Sequence, residues 1–133
     1  MHVIQYGLME LRCEAAQSIV SVKWSDDLSV ESPQFLQTIV FLFAIIQEKQ
    51  VTNLLINSGL PAGGVLTEDV IQRFIQHIPG TPLKRIAILE SADYLWDNNL
   101  YQVISLLTTT YRLPIAVKVT KSRAACLEWF SIP

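Results

Sequence analysis

The spacing of apolar residues changes along the chain from a period of two to a period near 3.6 and back, several times over. His2 to Leu8 and Leu11 to Glu14 read as two short strands, with Gly7 to Glu10 as the turn of a hairpin. Ile19-Val20-Ser21-Val22-Lys23-Trp24 is rich in β-branched residues, and polar Ser21 and Lys23 predict a third strand with one face more buried than the other. A polar loop from Ser25 to Glu31 leads to Ser32-Pro33. There a hydroxyl can cap the free amides and proline presets the first helical position, so a helix is expected to run to about Lys49.

Val51 to Asn57 follows as a strand whose run Leu54-Leu55-Ile56 suits burial on both faces, as in a parallel sheet flanked by helices. Thr67 precedes Glu68 and Asp69, a hydroxyl cap with carboxylates in the first turn. The helix it opens carries Val70, Ile71, Phe74, Ile75 and Ile78 on one side, and Pro79-Gly80-Thr81-Pro82 ends it. Arg85 to Glu90 is a second central strand. Asp97 is the expected cap of a helix from Asn98 to Tyr111 with Leu100, Val103, Ile104 and Leu107 inward. Ile115 to Val119 is the last strand, and Thr120 or Ser122 caps a short terminal helix. The order βββαβαβαβα predicts an α/β fold: a mixed, mostly parallel sheet with an N-terminal antiparallel hairpin, right-handed crossovers and helices on both faces.

At 133 residues with no linker or repeat, the chain reads as one domain, 1–133, and with half its residues hydrophobic and 17% charged it can fill a core. The net charge of -2, without any block of like charge, predicts no nucleic-acid partner. The longest apolar run, Phe35 to Ile46, falls short of the ~20 residues a bilayer span needs, so no stable membrane insertion is expected. The opening MHVIQYGLMELRCEA lacks the pattern of a secretory signal, which points to the cytoplasm. Cys13 and Cys126 are far apart in sequence and lack the spacing of a metal or dithiol motif; reduced, buried thiols are expected ahead of a disulfide.

Several segments together resemble the SpoIIAA-like branch of the STAS superfamily, as a small stand-alone bacterial member. They are the strands ending in Val22-Lys23-Trp24, Asn53-Leu54-Leu55-Ile56-Asn57, Arg85-Ile86-Ala87-Ile88-Leu89 and the closing Ala125-Cys126-Leu127-Glu128-Trp129-Phe130. The resemblance spans nearly the whole chain, and it implies a regulatory domain that acts by binding. Characterised regulators of the superfamily carry an Asp-Ser pair at the start of the helix after the central strand, where the serine is phosphorylated to control a partner kinase. Leu66-Thr67-Glu68-Asp69 stands at that place, which makes Thr67 the candidate phosphoacceptor. The Asp-Ser pair is absent, however, and Glu68 and Asp69 would repel a phosphate, so an ordinary helix cap is the simpler expectation.

Other candidate chemistry is sparse. The stretch holding Gly59, Gly63 and Gly64 lies between a strand and a helix, where α/β proteins bind anions, but no phosphate-loop pattern or following lysine accompanies it. Tyr94 and Trp96 sit in the segment after a parallel strand, so a ligand edge would lie between them and the glycines. His2 and His77, the latter expected on the outer side of its helix, form no pair with a nucleophile, and no cofactor or metal is expected. On the helix from Pro33, Phe41 and Ile45 project from the side that carries Thr38, so a contact surface for another protein or a second copy is expected there, unless the hairpin or another chain segment covers it. The sequence thus favours a non-catalytic protein-binding or regulatory domain. The alternative is a carrier or sensor of a lipid or other small apolar ligand, similar to CRAL-TRIO domains; an enzyme is disfavoured.

Overall fold

A computed structural model describes residues 1–57 and 65–132. Six strands form one sheet in the order in which they occur: β1 (His2–Tyr6), β2 (Met9–Glu14), β3 (Ile19–Trp24), β4 (Asn53–Asn57), β5 (Arg85–Leu89) and β6 (Ala116–Thr120). β1, β2 and β3 are antiparallel neighbours, and β3 to β6 run parallel. The helices are α1 (Pro33–Lys49), α2 (Glu68–His77), α3 (Tyr94–Thr110) and α4 (Arg123–Phe130), with short 3₁₀ turns at Ala15–Gln17 and Ile78–Gly80.

This strand order dictates where the helices go. Each crossover from β3 onward steps to the next strand in the same direction, and right-handed connections of one direction all pass over the same face. α1, α2 and α3 therefore share a face. Period-two alternation points Val20, Val22, Leu54, Ile56, Ile86 and Ile88 into the main core with Phe35, Ile39, Phe43, Phe74, Leu100 and Ile104 from the helices. Met9, Leu11 and Cys13 extend the same core beneath α1. On the opposite face Ile19, Leu55 and Ala87 lie under Cys126 and Phe130 of α4. Helices thus occupy both faces, as three against one.

α4 is eight residues long and too short to be stable by itself. Ser122 caps its start by accepting from the Ala125 amide. Its C-terminal end is held by Arg85 of β5, whose Nη1 donates to the Trp129 and Phe130 carbonyls at 2.8 Å each and whose Nη2 donates to the Ile132 carbonyl. A guanidinium satisfies the orphan carbonyls there and opposes the negative end of the helix dipole.

Several element ends differ from expectation for identifiable reasons. The hairpin turn is two residues, Gly7-Leu8, because Gly7 adopts φ +56°, which lets the strands close at Tyr6 and Met9. β4 starts at Asn53 after a left-handed Gln50 ends α1, so Val51 and Thr52 belong to the connection. β6 is shifted by one residue, to Ala116–Thr120. The cap of α3 is Asp93, which accepts from the Trp96 amide at 3.0 Å, so the helix begins at Tyr94 and not after Asp97. The earlier start buries Trp96 against Phe35, an aromatic contact that helix propensity does not encode. Ser32 and Thr67 cap α1 and α2 as the sequence predicts.

Candidate functional site

α1 is apolar almost all round. Its central stretch Thr38 to Ile46 contains no charge, and a helix of this composition normally lies buried on every side. Phe35, Ile39, Leu42, Phe43 and Ile46 face the core. Thr38 and Ile45 are also buried, which overturns the expectation that they line an exposed contact surface. Thr38 is held inside by two hydrogen bonds, accepting from Trp24 Nε1 at 3.0 Å and donating to the Phe35 carbonyl at 2.6 Å. Phe41 is half-covered by the N-terminal hairpin: Tyr6 stacks on it at 4.2 Å between centroids, with 12° between the rings.

The apolar surface that remains lies one step around the helix. Leu36, Val40 and Ala44 form an i, i+4, i+8 row on the outer side of α1. With Tyr6, Phe41 and the polar Gln37 they line an open groove of about 340 Å³ that also takes in Arg73 of α2. Val40 is 39% exposed at its centre. The Arg73 guanidinium donates to Gln76 Oε1 at 3.3 Å and forms no ion pair among the described residues. The groove is therefore a largely apolar floor with a guanidinium beside it that makes no ion pair among the described residues. The 36-40-44 row was present in the sequence; its exposure was decided by how far the hairpin and α2 reach across α1.

The C-terminal edge of the parallel sheet offers less. Thr67 Oγ1 accepts from the Val70 amide at 3.3 Å and lies beside Pro33 and Leu36, so the N-termini of α1 and α2 converge there, with Glu31 and Asp69 in the same shallow depression. The hydroxyl serves as a helix cap, and the carboxylates around it oppose an anion. Gly59, Gly63 and Gly64 lie outside the described residues. The two aromatics of the expected ligand edge part company: Tyr94 is exposed, whereas Trp96 is wholly buried in the core. Asp97, buried in the first turn of α3, accepts from the Ser91 amide at 2.7 Å and from Ser91 Oγ at 2.9 Å, so it ties the β5–α3 connection to the helix.

His77 does not face outward. Its ring stacks on Phe43 at 5.4 Å, and Nε2 is buried with no hydrogen-bond partner among the described residues. Both cysteines are free and buried, on opposite faces of the sheet. Burial pushes the Cys126 thiol up to about 11, against a smaller lowering effect of Arg123, and also raises Cys13. Such thiols are poor nucleophiles at neutral pH. Among the described residues no group of three or more His, Cys, Asp or Glu side chains is placed to hold a metal ion, and no helix is long and apolar enough to cross a membrane. Comparison with protein-family models, curated proteins and solved structures finds no match.

Proposed function

We propose that this chain is a non-catalytic, STAS-like binding domain of the cytoplasm that docks another protein against the outer side of α1. The observation that carries the reading is the open, largely apolar groove of Tyr6, Leu36, Val40, Phe41 and Ala44 beside Arg73, which forms no ion pair among the described residues. Its chemistry suits a partner segment that inserts one or two apolar side chains and sets a carboxylate on the arginine, the arrangement by which apolar anchors give affinity and a rim charge gives orientation. The STAS-like assignment draws on the landmarks given above and on the strand and helix order βββαβαβαβα.

The test is quantitative affinity capture from cells that express the protein, comparing wild type with Val40→Glu and Arg73→Glu. Val40 is exposed enough for the charge to leave folding intact, which circular dichroism checks. A protein retained by wild type and lost from both variants supports the reading. Identical sets from all three baits overturn it.

A further inference from the structure

We infer that the chain pairs with a second copy of itself through the free edge of β1, continuing the sheet across a twofold axis at Ile4. The inference rests on the reading of a binding domain, yet uses a surface separate from the α1 groove.

The phase of the hydrogen-bond ladder determines what this edge presents. Tyr6 and Met9 flank a two-residue turn, which makes them a pair that exchanges both backbone bonds. The Leu8 carbonyl accepts from the Ser25 amide, so Leu8, Glu10 and Arg12 turn their backbone groups toward β3, and Met9, Leu11 and Cys13 turn theirs toward β1. It follows that His2, Ile4 and Tyr6 spend their amides and carbonyls on β2. Those of Val3 and Gln5 point outward, with no backbone partner among the described residues.

That phase is self-complementary. A twofold axis at Ile4 sets Val3 opposite Gln5 of the second copy and Gln5 opposite its Val3, and each such pair exchanges both N–H···O=C bonds, four in all. Ile4 then meets Ile4 as the close, non-bonded pair, and Val3, 48% exposed, is covered by the other copy's Gln5. No carboxylate, ammonium or guanidinium lies on β1, so no like charges meet. On the next strand Arg12 and Glu10 pair with each other within each copy at 2.6 Å, so they bring no uncompensated charge to the junction.

The two ends of the sheet differ in a way that supports this occupant. Soluble proteins guard edge strands with lysine, proline, bulges or covering segments. β6 carries exposed Lys118 at its centre and follows Pro114, whereas β1 (HVIQY) has none of these devices and exposes Val3 beside its open amides. Five residues give an edge only ~17 Å long, so the contact falls at the small end of specific interfaces and a dissociation constant on the order of 10–100 µM is expected.

Sedimentation velocity across loading concentrations from about 5 to about 500 µM tests the pairing, because that range brackets the expected constant. Wild type should pass from monomer to dimer. Val3→Pro removes an outward N–H that β2 does not use and should raise the dissociation constant about thirtyfold through loss of two symmetry-related hydrogen bonds. Val3→Lys, which makes no demand on the backbone, should also yield monomer, and it decides the matter if the proline variant does not fold. Val40→Glu should leave the dimer intact, which separates this proposal from the α1 groove. A wild-type protein that stays monomeric throughout, or a dimer that persists in folded Val3→Lys, overturns the inference.

Discussion

Replacing Arg85 with methionine should release α4 from the sheet. The variant keeps an apolar stem of similar length, so the loss is confined to the guanidinium and its three backbone acceptors, Trp129, Phe130 and Ile132. A hydrogen bond from a charged donor contributes about 1.5–3 kcal/mol, but Arg85 is only partly buried and one guanidinium serves all three acceptors. The dipole interaction adds a few tenths of a kcal/mol, and the guanidinium carbon lies 5.8 Å from the Trp129 ring centroid, a further ~0.5 kcal/mol. We expect a total loss of about 2–4 kcal/mol, a large share of a domain's ~5–15 kcal/mol. Urea unfolding reports the global effect. The local effect is read at Cys126, buried on the sheet-facing side of α4 with its thiol held at about 11, which should label far faster with a thiol reagent at pH 8 once the helix detaches. A loss below about 0.5 kcal/mol with unchanged Cys126 labelling would refute the view that Arg85 anchors α4.

Three further outcomes are expected. Thr38→Val keeps volume but strands the Trp24 indole N–H in the core, and should cost about 1–3 kcal/mol in denaturant unfolding; Trp24→Phe in the same background should recover part of it. Asp97→Ala removes the acceptor of the Ser91 amide and hydroxyl and should cost about 2–4 kcal/mol, with faster hydrogen exchange in residues 90–97 before the rest of α3 responds. For Cys126 the folded thiol titrates above its ordinary value of 9.0, at about 11. Its stabilising effect is therefore complete below pH 9 and declines as pH rises through about 11, and stability curves of wild type and Cys126→Ala should converge over that interval.

The elements with strong local signals were legible in the chain. Pro33–Lys49 follows from a cap, a proline and a long apolar run, and Ile19–Trp24 from β-branched alternation. The cap of α3 was not, because Asp93 and Asp97 are both acceptable caps by residue type. Burial of Trp96 against Phe35 and capture of Asp97 by Ser91 chose between them. His77 looked solvated on a helical projection, yet α1 and α2 pack closely enough that Phe43 stacks on it.

The candidate site shows the same division. The sequence alone determined that α1 carries more apolar surface than one core face requires, and that catalytic groupings are sparse along the chain. Only the tertiary structure decided which part of that surface is left open. The order β1 to β6 places three helices on one face, and the hairpin swings Tyr6 over Phe41 while Thr38 and Ile45 turn inward. Leu36, Val40 and Ala44 remain outside because neither β1 nor α2 reaches across them. Periodicity is local and is written residue by residue, whereas coverage depends on distant segments meeting in space.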